Sequence, residues 1–82
     1  MNKILVTIYV LSIETQYDLM IPINLTVKEV MDLIQESISE LSSKSYVIKQ
    51  DAVLYDEEGK VINDNNIVKF SGLKNGSRLL LV

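Results

Sequence analysis

The sequence predicts a small α+β domain in which one helix covers a mixed β-sheet. Two observations carry this prediction. Only one stretch has a convincing helical period, and strongly aliphatic strands stand near both ends of the chain. Such end strands are most easily buried side by side in the centre of a sheet. With 82 residues, the chain is expected to form one domain over residues 1–82.

The helical stretch is predicted from Leu25 to Leu41. Its apolar residues recur with the i, i+3, i+4, i+7 spacing of one helical face, and they are Val27, Val30, Ile34, Ile38 and Leu41. Thr26, with Glu29 three residues later, has the pattern of a capping box, and Leu25 and Val30 are placed to form a hydrophobic staple across it. The predicted helix therefore has a well-marked start, and its apolar face is expected to pack against a sheet.

The first strand is predicted over Lys3–Leu11, where apolar and mixed positions alternate. One face is purely aliphatic and should meet the helix, and its residues are Ile4, Val6, Ile8 and Val10. The other face is mixed and should meet solvent or a partner, and its residues are Leu5, Thr7, Tyr9 and Leu11. A basic start followed by an apolar run also has the outline of a signal peptide, but no small-residue cleavage site follows. The buried strand is the preferred interpretation.

A second strand is predicted over Gln16–Ile21, with Tyr17, Leu19 and Ile21 on one face. About four turn residues separate it from the first strand, so the two are expected to form a hairpin. Pro22 cannot donate a backbone hydrogen bond, so this strand either ends there or lies at an edge of the sheet.

The second half of the chain is predicted to hold three further strands, at Ala52–Tyr55, Lys60–Ile62 and Arg78–Val82. An extension of the first of these back to Val47 is left open, and which of its residues face inward is ambiguous. Ile67, Val68 and Phe70 are expected to pin the preceding loop to the core. The order of elements gives a mixed four- to five-stranded sheet packed on one helix, which is the β-grasp topology.

Composition excludes several classes of function. There is no cysteine and no histidine, which removes thiolate metal sites and the commonest general base. The eight basic residues form no stripe and the net charge is −3, which disfavours nucleic-acid binding. No run approaches the roughly 20 apolar residues of a membrane span. The acidic cluster Asp56-Glu57-Glu58 is best explained as a solvated turn. We therefore expect no enzyme activity, no cofactor and no membrane insertion.

The pattern resembles the ubiquitin family over nearly the whole chain. The shared features are Thr26-Val27 followed by Val30, Ile34-Gln35, a turn at Gly59-Lys60, and Leu79, Leu81 and Val82 in the closing strand. A closer resemblance is to the YukD/EsaB family of small bacterial ubiquitin-like proteins. It rests on Tyr17-Asp18-Leu19 before Ile21-Pro22, on Val27-Lys28 at the helix start, and on the closing turn and strand Asn75-Gly76-Ser77-Arg78-Leu79.

The resemblance implies a cytoplasmic, non-enzymatic accessory or regulatory protein of a type VII (WXG100, ESX-like) secretion system of Gram-positive bacteria. Its partner would be a protein of that machinery. Two alternatives stay open: a carrier-type β-grasp protein serving an enzyme, and a self-associating structural domain that forms a weak homodimer. The sequence ends at Leu80-Leu81-Val82 without a Gly-Gly tail, so tagging and sulfur transfer are expected to be disfavoured unless the full-length product carries one.

The candidate binding site is apolar. If the aliphatic face of the first strand meets the helix, then Leu5 and Tyr9 face away from it. Leu80 faces away if its neighbours in the last strand face inward. Leu54 and Leu80 occupy positions similar to the apolar recognition patch of ubiquitin. The predicted anchors for a protein partner are therefore Leu5, Tyr9, Leu54 and Leu80.

Overall fold

The computed structural model describes residues 2–82 and contains four strands and one α-helix. The elements, in chain order, are β1 (Lys3–Val10), β2 (Thr15–Pro22), α1 (Val27–Leu41), β3 (Leu54–Tyr55) and β4 (Ser77–Leu81). Short 3-10 turns cover Leu11–Ile13 and Val68–Phe70. The predicted hairpin, helix and closing strand are confirmed, with bounds that differ by one or two residues.

The strands form one mixed sheet in the order β2-β1-β4-β3. β1 pairs antiparallel with β2 and parallel with β4, and β3 pairs antiparallel with β4. The first and last strands are therefore neighbours at the centre, as their aliphatic composition predicts. β2 lies at one edge and ends at Pro22, where the missing N–H costs no ladder bond. The topology is that of the predicted β-grasp.

The core lies between the inner sheet face and α1. The inward residues of β1 are at most 9% exposed, and they are the predicted Ile4, Val6, Ile8 and Val10. Leu79 and Leu81 of β4 face the same way and are buried. The helix contributes Val27, Val30, Met31, Ile34 and Ile38 to this core.

The start of α1 has the predicted capping box. The Glu29 backbone N–H donates to the Thr26 hydroxyl oxygen at 3.2 Å, and the Thr26 backbone N–H donates to Glu29 Oε1 at 3.0 Å. Two helix-start donors that would otherwise lack partners are thereby satisfied. Leu41, predicted on the apolar face, is instead 58% exposed at the end of the helix.

The second half of the chain has less strand than the sequence predicts. The predicted strand Ala52–Tyr55 shortens to Leu54–Tyr55, and Lys60–Ile62 reduces to a single bridge between Val61 and Tyr55. Val68 is fully buried as expected, whereas Phe70 is 73% exposed and does not pin the loop. Backbone hydrogen bonds tie this loop to the helix start instead, including Val68 N–H to the Leu25 carbonyl oxygen at 2.9 Å.

Candidate functional site

The sheet face opposite α1, called here the outer face, carries side chains from all four strands. Alternation along each strand assigns to it Leu5, Thr7 and Tyr9 of β1, Gln16, Asp18 and Met20 of β2, Tyr55 of β3, and Arg78 and Leu80 of β4. The structure thus brings three of the four predicted anchors, Leu5, Tyr9 and Leu80, onto one surface.

Three of these side chains form a continuous apolar row across the sheet. Tyr9 lies directly opposite Leu80 in the β1–β4 register, and Leu80 lies directly opposite Tyr55 in the β4–β3 register. Residues opposite each other on one face of adjacent strands are in side-chain contact range. Tyr9 is 38% exposed, and Leu80 and Tyr55 are half-buried. A partner docking on the outer face would meet this row as one surface.

A polar row crosses the sheet beside the apolar row. It runs from Asp18 through Thr7 to Arg78, which are opposite one another in the two registers. The Thr7 hydroxyl donates to Asp18 Oδ1 at 2.7 Å. The backbone N–H of Arg78 donates to Glu57 Oε1 at 3.0 Å, which holds the 56–59 turn against β4. These bonds fix polar groups next to the apolar row.

Leu5 lies on the far side of the polar row from Tyr9. It is 40% exposed and stands opposite Met20, which is 54% exposed. The backbone around Leu5 is fixed by the closing turn, because its N–H donates to Asn75 Oδ1 and its carbonyl oxygen accepts from the Gly76 N–H, both at 2.7 Å. Gly76 has φ +90°, a backbone conformation that favours glycine. Leu5 and Met20 thus form a second apolar spot on the outer face.

Leu54 does not belong to the outer face. It is 2% exposed and pairs with the buried Leu81, so its side chain lies in the core and the prediction of Leu54 as an anchor is wrong. The next residue, Tyr55, occupies the outer face in its place. A shallow groove beside the apolar row is lined by Tyr55, Arg78, Leu80 and the 56–59 turn.

Sequence reasoning missed Tyr55 and Met20. For Met20 a signal was present: it alternates with Leu19 and Ile21, which the sequence places on one face of the second strand and which pair with the buried Val6 and Ile4. For Tyr55 the apolar run Ala52–Tyr55 has no polar position to indicate which residues face inward.

Two side chains have pKa values that are shifted by their surroundings. Hydrogen bonds from the Thr26 backbone and hydroxyl lower the pKa of Glu29, and burial raises the pKa of Tyr46. Both shifts have structural causes, in the helix cap and in the core. Within residues 2–82, no group of three or more acidic side chains is placed to hold a metal ion. The described helix is too short and too polar to cross a membrane.

Comparison with solved structures identifies the fold. The ubiquitin-like domain of EccD1, a type VII secretion system protein of Mycobacterium tuberculosis, aligns with a TM-score of 0.77 and 19% identity over 100% of this chain and 99% of that one. A chain from a structure described by the words "Molecular Mimicry of SUMO promotes DNA repair" aligns with a TM-score of 0.75 and 22% identity over 100% of this chain and 92% of that one. This chain has the ubiquitin-like β-grasp fold.

A further ubiquitin-like match lies within a larger assembly. A chain of the MycP5-free ESX-5 inner membrane complex aligns with a TM-score of 0.72 and 12% identity, and the alignment covers 100% of this chain and 21% of that one. No family model and no curated protein matches the sequence. At these identities the ubiquitin-like likeness establishes the fold, and the outer face is the feature from which a function must be argued.

Proposed function

We propose that this chain is a non-enzymatic, ubiquitin-like accessory or regulatory protein of a type VII secretion system. It would act as a single unit over residues 1–82, in the cytoplasm of a Gram-positive bacterium, as the YukD/EsaB resemblance implies. Its mechanism would be docking of the outer face, anchored by Leu5, Tyr9, Tyr55 and Leu80, onto a protein of the secretion machinery.

The observation that carries the proposal is the apolar row of Tyr9, Leu80 and Tyr55. Three large side chains from three adjacent strands are in register on a sheet face that no helix of the described residues 2–82 covers. A contiguous exposed apolar patch edged by polar residues is typical of an interaction site. A few residues supply most of the free energy in such contacts, and tyrosine is among the residue types enriched at these positions.

The choice of secretion machinery rests on two supports. One is the YukD/EsaB resemblance of the hairpin end, the helix start and the closing turn. The other is the fold likeness to the ubiquitin-like domain of EccD1 and to a chain of the ESX-5 inner membrane complex. The ESX-5 match covers 21% of a chain that belongs to a membrane complex, which supports a protein partner for this chain.

The test is affinity capture from a Gram-positive lysate with solubilised membranes, followed by mass spectrometry. Wild type is compared with Leu80→Asp, which places a charge in the middle of the apolar row. Val47→Asp is the matched control, because Val47 is 76% exposed and outside the outer face. We expect a type VII component to be captured by wild type and by Val47→Asp and lost with Leu80→Asp.

Two results would contradict the proposal. One is equal capture by Leu80→Asp and wild type, with both shown to be folded by circular dichroism. The other is capture of no type VII component by any of the three proteins. Because Leu80 is half-buried, Tyr9→Arg serves as a second variant if Leu80→Asp fails to fold. Sedimentation of wild type at rising concentration distinguishes docking from self-association, since a mass that grows with concentration would favour the homodimer.

A further inference from the structure

The free edge of β2 presents main-chain groups that point away from the sheet. Ile23 N–H donates to the Asn2 carbonyl oxygen at 3.0 Å, so this position of the β1–β2 ladder is a hydrogen-bonded pair. Because such pairs alternate in an antiparallel ladder, the register directs the backbone groups of Thr15, Tyr17, Leu19 and Ile21 to β1. The N–H and C=O groups of Gln16, Asp18 and Met20 therefore face outward, and in residues 2–82 no other strand pairs with them.

This edge lacks most of the devices that block strand addition. Short strands, lysines and bulges are the usual protection, but β2 has eight residues and contains no lysine. Pro22 removes one N–H at the far end of the strand only. Three consecutive outward positions remain available to an extended peptide, which could join the sheet by main-chain hydrogen bonds.

A groove runs beside this edge on the helix side of the sheet. It is lined by Leu19 of β2 and by Glu36, Ser37, Glu40 and Leu41 of α1. Leu41 is 58% exposed, and Leu33, on the same helical stripe, is 43% exposed. Apolar side chains of an added strand would cover this exposed apolar surface, while the two glutamates lie within the same groove.

Both charged residues that line the groove, Glu36 and Glu40, are acidic. From Glu29 to Leu41 the helix has four carboxylates and no basic residue, and β2 adds Asp18 without any basic residue. Glu36 and Glu40 are four residues apart, where like charges repel, and Glu40 lies in the last helical turn, where the helix dipole already favours cations. No basic residue occupies that turn. The arrangement is unfavourable for the free domain and would be relieved by a cationic ligand.

We propose that the β2 edge and the adjoining groove bind an extended peptide segment of a partner protein that mixes apolar and basic residues. The segment adds a fifth strand beside β2, through main-chain bonds to Gln16, Asp18 and Met20. Its apolar side chains pack on Leu19 and Leu41, and its basic side chains reach Glu36, Glu40 and Asp18. This surface is separate from the apolar row, and the proposal does not depend on the docking function proposed above.

The first test is an NMR titration of the full chain with the blocked peptide Lys-Val-Val-Lys-Val-Val-Lys. We expect the amide signals of Gln16, Asp18 and Met20 to shift and their hydrogen exchange to slow as the peptide binds. The same peptide with glutamate in place of lysine should not bind. Absence of shifts at these amides at millimolar peptide, or shifts confined to Tyr9, Tyr55 and Leu80, would overturn the proposal.

The second test separates main-chain pairing from side-chain contact. Met20→Pro and Met20→Ala both remove the methionine side chain, but only proline removes the outward N–H, and neither removes a bond to β1. We expect Met20→Pro to bind the peptide about three- to tenfold more weakly than Met20→Ala, the effect of one hydrogen bond. If the proline variant does not fold, a peptide N-methylated at alternate residues tests the same bonds on wild type. Equal affinity of the methylated and unmethylated peptides would refute strand addition.

The third test concerns charge. Combining Glu36→Gln with Glu40→Gln should weaken binding of the lysine peptide by about two- to tenfold at low salt, and by less at high salt. Asp51→Asn combined with Glu58→Gln changes the net charge equally, away from the groove, and should leave the affinity near that of wild type. An equal loss for both pairs would show a general charge effect and contradict the groove assignment.

Discussion

The Tyr46 hydroxyl donates a 2.6 Å hydrogen bond to the side-chain oxygen of Gln35, and both residues are only 3% exposed. The same Gln35 amide also holds Lys49, whose backbone N–H donates to Oε1 at 2.9 Å and whose carbonyl oxygen accepts from Nε2 at 3.0 Å. The Gln35 side chain of the helix thus forms hydrogen bonds with both ends of segment 46–49, which contains no strand. Between these hydrogen bonds, Val47 and Ile48 are held outward, at 76% and 51% exposure.

Replacement of Gln35 should therefore destabilise the domain more than loss of the Tyr46 hydroxyl alone. Gln35→Leu preserves volume but leaves the buried hydroxyl without its acceptor, and we expect a loss of about 1–3 kcal/mol in the free energy of unfolding. Tyr46→Phe removes the hydroxyl while Gln35 keeps both bonds to Lys49, so about 1 kcal/mol is expected. Urea denaturation measures both. A smaller loss for Gln35→Leu than for Tyr46→Phe would contradict this account of the segment.

The stability of the domain should fall at high pH because of Tyr46. Burial raises the pKa of Tyr46 above its ordinary value of 10.0. A raised pKa means that the folded state favours the neutral phenol, so this contribution is fully present below pH 10 and is lost as the pH rises through the folded-state pKa. The difference in unfolding free energy between wild type and Tyr46→Phe should shrink as the pH is raised above 10. A constant difference from pH 8 to pH 11 would refute the role of Tyr46.

Substitution of Leu54 should mainly lower the stability of the domain, whereas substitution of the adjacent Tyr55 should mainly weaken capture of the proposed partner. Leu54→Ala empties a buried site and should cost about 2–5 kcal/mol in unfolding free energy. Tyr55→Ala removes a half-buried side chain from the outer face and should cost less, while weakening capture of the partner. Denaturation and capture of the same two variants test this assignment. A more stable Leu54→Ala than Tyr55→Ala would reverse the assignment of the two faces.

Glu14, in the β1–β2 connection, has a backbone conformation that is unfavourable for glutamate. Glu14 has φ 50° and ψ 44°, the left-handed conformation that asparagine and glycine tolerate best. Glu14→Asn should raise the unfolding free energy by about 0.5–1 kcal/mol, or the melting temperature by several degrees. Glu14→Ala is the control, because it removes the same charge without relieving the conformation. Equal melting temperatures of the two variants would show that charge, not backbone, decides stability here.

The helix cap at Thr26 and Glu29 should contribute less to the stability of the domain at acid pH. Thr26→Ala should lower the unfolding free energy by about 1 kcal/mol, because a cap donor loses its acceptor. Hydrogen bonds from Thr26 lower the pKa of Glu29, so the folded state favours the carboxylate. This contribution is present above the ordinary pKa of 4.5 and is lost as the pH falls through the lowered value. Acid titration followed by circular dichroism should show a smaller difference between wild type and Thr26→Ala at pH 2 than at pH 7.

The faces of β1 and β4 could be predicted from the sequence because their alternation is long enough to fix which residues are buried. The inward-facing residue of β3 could not be predicted, since the strand has only two paired residues within an apolar run and either of them could face inward. Gln35 was missed because it is polar, yet a pattern signal existed: it extends the buried helical stripe from Met31 at i+4, and Ser39 extends it further. Phe70 is exposed, and its loop is held by backbone hydrogen bonds, which composition does not reveal.

The parallel pairing of β1 with β4 has a consequence for how the molecule forms. The sheet centre joins residues Lys3–Val10 to residues Ser77–Leu81, so its closing step requires contact between nearly opposite parts of the chain. During synthesis, the β1–β2 hairpin and the helix emerge before the strand that completes the core exists. The apolar faces of the hairpin and the helix stay incompletely covered until β4 is synthesised. Pairing between residues so distant in sequence also slows folding. The nascent chain therefore passes through a stage in which Ile4, Val6, Ile8 and Val10 lack the neighbouring strand β4.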